Sequence, residues 1–313
     1  MNRFKKVVFL FLISTLTVVG QQKITLEDIW SNGTFRTKGM DALQSLKNTN
    51  QYTVLNYDRV ARTFQIDLYD FATLKKVSTL LDTKNHAELT SIDSYTFNST
   101  ETQLLIALNS DQIFRHSSVA DFYIYDIASK SLQKVADYKI QEPTFSPDGK
   151  KIAYGYKNDL YVLDIASKKH TQITNDGKKN AIINGITDWV YEEEFAFVRA
   201  FDWNSTSTHL AYIKFDETNV PEFSMDVFGK ELYPSQEVFK YPKAGEKNAL
   251  VSLQVYDVST SATNTINLSQ YNDFYIARMK WTNDANFLSI QVLNRHQNNL
   301  DLLFVDAKTG ATK

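Results

Sequence analysis

The sequence repeats one short motif four times, and this repetition constrains the fold more than any other feature. Each copy has an aromatic residue, a polar turn, and an apolar residue seven positions after the aromatic. The copies begin at Phe97, Phe145, Trp203 and Trp281. In the second copy the turn is Ser146-Pro147-Asp148-Gly149, where proline presets φ at the second position and glycine suits the fourth position of a type I turn. Strand-forming residues on both sides indicate a β-hairpin.

A second motif alternates with the first and consists of an apolar run that ends in aspartate. The runs end at Asp70, Asp126, Asp164, Asp257 and Asp306. In the run Phe122–Asp126, alternate side chains fall on opposite faces, which is the period of a β-strand. We expect each aspartate to accept hydrogen bonds from backbone N–H groups in the turn that follows it.

Hairpins that recur along the whole chain predict an all-β fold, a β-propeller of four-stranded antiparallel blades. Propeller blades contain roughly 40–50 residues, so the chain has room for about six. A β-sandwich is the alternative. The intervals from Phe145 to Trp203 and from Trp203 to Trp281 contain 58 and 78 residues, more than a blade needs. Insertions are predicted there, and insertions commonly carry function.

The N-terminus has the pattern of a secretory signal peptide. Arg3, Lys5 and Lys6 precede the uncharged run Val7–Val19, which is shorter than the roughly 17–25 residues that span a bilayer. We predict a signal peptide at 1–20, a lead-in segment at 21–50 and a propeller domain at 51–313. The protein is expected to be exported, periplasmic or extracellular, without a stable membrane span; an uncleaved anchor or a buried strand is the alternative for the apolar run.

Composition excludes several functions. The net charge of −2 argues against nucleic acid, which is bound by basic surfaces. The absence of cysteine excludes disulfides, thiolate metal sites and cysteine nucleophiles. The five histidines have no close pair at metal-ligand spacing, so neither a metal nor a cofactor is expected.

The first long interval contains three adjacent glutamates in Asp188-Trp-Val-Tyr-Glu-Glu-Glu194. One interpretation is a solvated helix face. The other is a cation site, in which two carboxylates hold an ammonium by charge-assisted hydrogen bonds worth about 1.5–3 kcal/mol each. The flanking aromatic residues would lower the local dielectric constant and strengthen that hold.

Several segments resemble the dipeptidyl peptidase IV group of the prolyl oligopeptidase family of serine peptidases, in the same order along the chain. The resemblance extends over about residues 23–313 and is most specific at Asp188–Glu194, which is similar to the double-glutamate motif of that group. The other matching segments are Ile24–Ile29, Arg115–Ser117 with Tyr123–Asp126, Thr144–Gly149, Asn158–Val162 and Tyr241–Gly245.

The resemblance implies an eight-bladed propeller joined to an α/β-hydrolase domain, and release of Xaa-Pro or Xaa-Ala dipeptides from peptide N-termini. A short helical insertion would carry the double glutamate, Glu193 and Glu194, which would bind the substrate's free α-ammonium. Arg115 would bind the carbonyl of the P2 residue and orient the carboxylates, and Glu192 would be a neighbour rather than a ligand. Without the resemblance, Arg115 would be interpreted as a surface charge beside Asp111.

The second long interval contains the segment Pro221–Lys247. In the group that the chain resembles, an extended arm at this place contributes to homodimer contact. The alternative is a long hairpin that folds against its own propeller. The partners implied are therefore peptides with a free N-terminus, a C-terminal α/β-hydrolase domain and a second copy of the chain.

No Gly-x-Ser-x-Gly elbow, the usual setting of the nucleophile in such hydrolases, occurs in the sequence. We therefore expect no catalytic residue in this chain, a truncated and incomplete propeller of about six of eight blades, and no activity from the chain alone. The parent protein would be an exported serine exopeptidase in which this part binds the substrate α-ammonium and gates access. The alternative is a stand-alone, non-enzymatic propeller that serves as a binding module.

Overall fold

The computed structural model describes residues 23–37 and 43–313. The chain divides into two units, residues 1–42 and 43–313. In the first unit a short helix, α1, spans Leu26–Trp30 and begins with a capping box: the Thr25 hydroxyl accepts the Asp28 N–H, and the Asp28 carboxylate accepts the Thr25 N–H, each at 3.1 Å. The predicted signal peptide, residues 1–20, lies outside the described residues.

Residues 43–313 form consecutive antiparallel sheets, each built mainly from strands that are neighbours in sequence. Sheet 1 contains β1 (Leu43–Ser45), β2 (Gln51–Asp58), β3 (Thr63–Asp70) and β4 (Lys76–Asp82), and a 3₁₀ turn (Thr83–Asn85) follows it. Sheet 2 contains β5 (Ser94–Phe97), β6 (Gln103–Gln112), β7 (Ser118–Asp126) and β8 (Leu132–Lys134). Sheet 3 contains β9 (Gln141–Phe145), β10 (Lys151–Tyr156), β11 (Asp159–Asp164) and β12 (Lys169–Gln172).

The later sheets are less regular because they contain the insertions. Sheet 4 contains β13 (Ile182–Asn184), β14 (Phe201–Trp203), β15 (His209–Asp216), β18 (Leu250–Asp257) and β19 (Thr263–Thr265), and helix α2 (Trp189–Glu194) lies between β13 and β14. A separate hairpin, the arm, consists of β16 (Glu222–Val227) and β17 (Ser235–Lys240). Sheet 5 contains β20 (Phe274–Trp281), β21 (Phe287–Asn294) and β22 (Leu300–Asp306).

Both sequence motifs lie where a hairpin architecture requires them. In each copy of the first motif the aromatic residue ends one strand, and the next strand begins six residues later. The turn at Ser146 closes as predicted, with the Gly149 N–H donating to the Ser146 carbonyl at 2.8 Å. Gly149 has φ +70°, a conformation that glycine adopts without a steric penalty.

The aspartates of the second motif end the third main strand of the five sheets. Their carboxylates accept backbone N–H bonds from the following turn, as predicted; the Ser129 N–H, for example, lies 2.8 Å from the Asp126 carboxylate. The backbone bond from Ser129 lowers the pKa of Asp126 below its ordinary value. A carboxylate at this position therefore stabilises the turn in its ionised form.

Apolar cores lie between successive sheets rather than within a single central core. Leu104 and Ile106 of β6 pack with sheet 1, whereas Leu105 of the same strand packs with sheet 3. Two further clusters join sheet 3 to sheet 4 and sheet 4 to sheet 5. Sheets that are buried on both faces and stacked in sequence order are propeller blades, which confirms the predicted all-β propeller.

Both predicted insertions are present. The first connects sheet 3 to sheet 4 and carries α2, and the second is the arm between β15 and β18. Among the described residues, no helix is long and apolar enough to cross a membrane.

A buried hydrogen bond between α2 and sheet 5 generates a stability prediction. The Ile276 N–H donates to the Tyr191 hydroxyl at 2.9 Å, and the two residues are 0% and 2% exposed. Tyr191→Phe would leave that N–H buried without an acceptor, so we expect the free energy of unfolding to fall by about 1–3 kcal/mol. Urea unfolding of the chain, followed by circular dichroism, measures the change.

The matched control is Tyr57→Phe, because Tyr57 is 51% exposed. Its free energy of unfolding should stay within about 0.5 kcal/mol of the wild-type value. Equal stabilities of the Tyr191→Phe variant and this control would contradict the assigned hydrogen bond.

Candidate functional site

The first turn of helix α2 is stabilised by the side chain of the residue that precedes it, Asp188. Asp188 has extended backbone, and its Oδ1 atom accepts the Tyr191 N–H at 3.0 Å, as an N-cap does. The helix ends at Glu194, and the N–H of the C-cap residue Phe195 donates to the Tyr191 carbonyl. Successive residues of an α-helix point about 100° apart, so the three adjacent glutamates point in three directions.

Tyr191 points into the protein and anchors the helix. Its ring packs against Phe195 and Phe215, with centroid distances of 4.9 and 4.8 Å. Burial raises the pKa of Tyr191 well above its ordinary value, so the phenol stays neutral. The inward direction of Tyr191 fixes the directions of the residues that follow it.

Glu192 is also buried, at 1% exposure. Its Oε1 atom accepts the backbone N–H groups of His116 and Ser117 at 2.5 and 2.8 Å. The sequence-based interpretation made Glu192 only a neighbour of the site, and it missed this contact. The signal that could reveal it is the helix period. Where a buried aromatic residue such as Tyr191 faces the protein interior, the glutamate next to it on the helix, Glu192, lies at the edge of the same inward face.

Glu193 faces the arginine that the resemblance selected. Arg115 Nε lies 3.0 Å from Oε2 and 3.2 Å from Oε1 of Glu193. The Glu193 side chain is 18% exposed and the Arg115 side chain is 72% exposed, so the ion pair lies at the surface of a recess. The structure thus brings together two of the three predicted site residues, which are separated by 78 positions in sequence.

Glu194, the third predicted site residue, is exposed. Within residues 23–37 and 43–313 its side chain has no hydrogen bond or ion pair. The structure therefore places Glu194 next to the Arg115–Glu193 pair along the helix but not in contact with Arg115.

The loop that carries Arg115 is held by several short contacts. The Gln112 side-chain amide donates to the carbonyls of Phe114 and Arg115 at 2.6 and 2.9 Å. The Ser117 hydroxyl accepts the Phe114 N–H at 3.1 Å. With the bonds from Glu192, these contacts make the backbone on both sides of Arg115 well defined.

Two cavities lie beside α2. One, of 660 Å³, is lined by Arg115, Trp189 and residues of the arm such as Phe239 and Tyr241. The rings of Trp189 and Tyr241 lie 4.4 Å apart, so the base of the arm packs on the helix. Aromatic side chains therefore do lie beside the acidic segment, although Glu193 and Glu194 do not line this cavity.

The second cavity, of 550 Å³, is mostly apolar and contains two buried carboxyl groups, Asp188 and Glu217. Burial raises the pKa of Asp188 to about 6. Burial, with a smaller contribution from the Asp188 charge, raises the pKa of Glu217 to about 7, while Lys240 opposes the shift. Both groups thus take up protons at higher pH than exposed carboxyl groups do.

The described part of the chain contains no group of three or more histidine, aspartate or glutamate side chains arranged to hold a metal ion. The adjacent glutamates of α2 diverge, which is the geometric reason that they do not form such a group. What the arrangement offers chemically is two neighbouring carboxylates, one of them already paired with a guanidinium.

The fold and the site together define a class of protein: a β-propeller with a helical insertion, one of whose carboxylates pairs with an arginine from another blade. The chain belongs to the family described as the dipeptidyl peptidase IV (DPP IV) N-terminal region, whose model matches residues 98–313.

Individual relatives agree with this membership. Dipeptidyl peptidase 4 of Bos taurus is 30% identical over 311 residues, covering 88% of this chain and 40% of the relative. Prolyl endopeptidase FAP of Homo sapiens is 30% identical over 286 residues, covering 88% and 36%. The crystal structure of Porphyromonas gingivalis dipeptidyl peptidase 4 has a TM-score of 0.86 and 33% identity, covering 94% of this chain and 42% of that one. The chain thus spans about two fifths of the length of these relatives.

The buried Glu217 carboxyl generates a pH prediction. The pKa of Glu217 is about 7 in the folded state, compared with about 4.3 in the unfolded chain. Between these two pH values the folded chain therefore binds more protons than the unfolded chain. The contribution of Glu217 to stability therefore falls as pH rises through this window. Glu217→Gln removes the titration, so from pH 5 to pH 8 its stability should gain about 2–3 kcal/mol relative to the wild type.

Urea unfolding of both chains at the two pH values measures this difference. Glu88→Gln is the matched control, since Glu88 is exposed, and it should show no such relative gain. Parallel pH dependence of the wild type and Glu217→Gln would refute the assigned proton uptake.

Proposed function

We propose that this chain is the propeller part of an exported serine exopeptidase that releases Xaa-Pro or Xaa-Ala dipeptides, and that it binds the substrate's α-ammonium between Glu193 and Glu194. The observation that carries the proposal is the Arg115–Glu193 ion pair, formed between two blades beside an unpaired glutamate. Family membership supports the peptidase class.

The charges of the site support an ammonium ligand. Glu193 and Glu194 bring two negative charges, and Arg115 neutralises one of them. One negative charge remains, and a peptide's α-ammonium carries the single positive charge that matches it. On a peptide backbone only the N-terminal residue carries a free ammonium, so the contact would select N-termini and make the reaction exopeptidic.

The position of Arg115 supports its proposed second role. An arginine has five N–H donors, and the ion pair with Glu193 uses the one on Nε. The terminal nitrogens of this 72% exposed side chain make no hydrogen bond or ion pair among the described residues. They would donate to the carbonyl of the P2 residue while Nε keeps the Glu193 carboxylate in place.

Chemistry would come from an α/β-hydrolase domain in the part of the relatives that this chain does not cover. The propeller would then hold the substrate N-terminus at a set distance from the serine and gate access to it. Positioning of this kind contributes to catalysis by orienting the scissile bond. Export to the periplasm or the extracellular space would follow from the segment 1–20.

We further propose that the arm, within Pro221–Lys247, forms part of a homodimer interface. Its base packs on the loop of sheet 2 that carries Arg115, where Phe239 and Phe114 have ring centroids 5.7 Å apart. Its tip is different: Phe228, Leu232 and Tyr233 are 80, 88 and 79% exposed. An exposed apolar tip on an anchored hairpin is suited to contact with a second copy.

The ammonium site is tested by Glu193→Gln combined with Glu194→Gln in the complete peptidase. Each change removes a charge and keeps the side-chain shape. Because hydrogen bonds to a charged group are worth about 1.5–3 kcal/mol each, we expect kcat/KM for an Xaa-Pro chromogenic substrate to fall at least about a hundredfold.

The control pair is Glu27→Gln with Glu88→Gln, two exposed glutamates whose replacement changes the net charge equally. It should retain the wild-type kcat/KM. The same peptide with an acetylated N-terminus lacks the ammonium and should be cleaved equally poorly by the wild type and the site variant. An unchanged kcat/KM in the site variant would mean that Glu193 and Glu194 are a solvated surface.

The arm proposal is tested by Leu232→Glu combined with Tyr233→Glu. Burying two carboxylates in an apolar interface is strongly unfavourable, so the dimer is expected to dissociate to monomers. Light scattering after size-exclusion chromatography measures the mass. Val60→Glu, on an exposed turn of sheet 1 where Val60 is 96% exposed, should leave the mass at the dimer value; a monomeric wild type, or a variant that stays dimeric, would contradict the proposal.

A further inference from the structure

We infer that Glu192 is a positioning residue, which holds the Arg115 loop in place by accepting the N–H groups of His116 and Ser117. This inference goes beyond the double glutamate, because Glu192 would not touch the substrate. The expected effect of Glu192 on KM rests on the proposed function, whereas its role in holding the loop does not.

The burial of Glu192 requires an explanation. A carboxylate removed from water loses favourable solvation and is retained only where hydrogen bonds compensate. At 1% exposure, Glu192 is among the most buried charged residues of the described chain. Its compensation comes from the two N–H groups of the 116–117 backbone, 2.5 and 2.8 Å from one oxygen.

These two donors directly follow Arg115 in sequence. Ile113 and Ser117 already close the loop with a backbone bond of 2.9 Å from the Ile113 N–H to the Ser117 carbonyl. That bond shapes the loop but does not locate it relative to α2. The Glu192 contacts do, because they connect the loop of sheet 2 to the insertion before sheet 4.

One turn of α2 contacts both the backbone and the side chain of the Arg115 loop. Glu192 fixes the backbone next to Arg115, and the adjacent Glu193 receives the Arg115 side chain at 3.0 Å. Any displacement of the loop would therefore move the guanidinium away from the carboxylate that it orients. A long, 72% exposed arginine side chain has many rotamers, and a fixed backbone removes part of the entropy cost of the ion pair.

The second oxygen of Glu192 adds an independent observation. Oε2 is buried and has no hydrogen-bond partner among the described residues. Buried acceptors without partners are rare in native proteins. The hydrogen bonds of Glu192 are therefore concentrated on Oε1, where a carboxylate is a stronger, charge-assisted acceptor than an amide oxygen would be.

Three variants separate the acceptor from the rest of the side chain. Glu192→Ala removes the acceptor, Glu192→Gln keeps a weaker neutral one, and Glu192→Asp withdraws the carboxylate by one methylene. Glu88→Ala is the matched control, since Glu88 is exposed and lies outside the arm.

The first measurement is amide hydrogen exchange on the 313-residue chain. We expect the His116 and Ser117 amides to exchange at least about tenfold faster in Glu192→Ala and to stay within about threefold of the wild-type rate in Glu192→Gln. The Ile276 amide, which is bonded to Tyr191, should keep its rate and report that the fold is intact. If Glu192→Ala does not fold, Glu192→Asp is compared in its place, and unchanged exchange at His116 and Ser117 overturns the inference.

The second measurement is a double-mutant cycle with Arg115→Ala in the complete peptidase. If Glu192 acts through Arg115, Glu192→Ala raises KM for an Xaa-Pro substrate about tenfold in the wild-type background, leaves kcat within about twofold, and adds nothing in the Arg115→Ala background. Glu192→Gln should restore most of the loss. Equal KM effects in both backgrounds would show a merely structural role and overturn the inference.

Failure of the proposed function can be told apart from failure of this inference. If Glu193→Gln with Glu194→Gln leaves kcat/KM unchanged, the ammonium site is refuted, and hydrogen exchange alone then decides whether Glu192 holds the loop. If that double variant loses activity while Glu192→Ala keeps both the exchange rates and KM, only the inference about Glu192 is wrong.

Discussion

The inward burial of two successive side chains of α2, Tyr191 and Glu192, is the constraint on which the rest of the site depends. A helix of six residues has too few internal hydrogen bonds to persist alone. It is held instead by its N-cap and by contacts to two different blades, one to the β20 backbone and one to the Arg115 loop. With those two directions fixed, helical geometry places Glu193 and Glu194 outward without further support.

The site therefore combines a buried, hydrogen-bonded base with charged side chains that are open to solvent. Glu192 and Ser117 are buried, whereas Arg115 and Glu194 are exposed. Such an arrangement lets charged groups keep their mutual geometry before a ligand arrives, so less binding energy is lost in ordering them. The propeller contributes this rigidity because sheets 2, 3 and 4 are packed on both faces.

Much of the fold could be predicted because its repeats depend on local chemistry. The turn at Ser146-Pro147-Asp148-Gly149 and the aspartates that end the third strands are determined by neighbouring residues, and the structure places both as expected. The make-up of sheet 4 was not predictable in the same way. Its strands β13 and β14 have three residues each and both pair with β15, so neither is long enough to display an alternating pattern.

The site could be predicted in part for a similar reason. The run from Asp188 to Glu194 is distinctive in itself, and Arg115 was found through resemblance rather than through any local signal. The inward direction of Glu192 depends on donors 75 and 76 positions away. The burial of Glu217 likewise depends on the packing of the arm and its neighbouring loops, which no local pattern encodes.

The pairing of β15 with β18 has a consequence for protein engineering. The two strands match without interruption from His209–Asp257 to Asp216–Leu250, so the long segment between them, arm included, leaves at the point where an ordinary hairpin turn would stand. The blade does not need the arm to keep its register. This junction is therefore a suitable insertion point for grafted sequences. A foreign hairpin or reporter domain could replace the arm there while β15 and β18 keep their pairing.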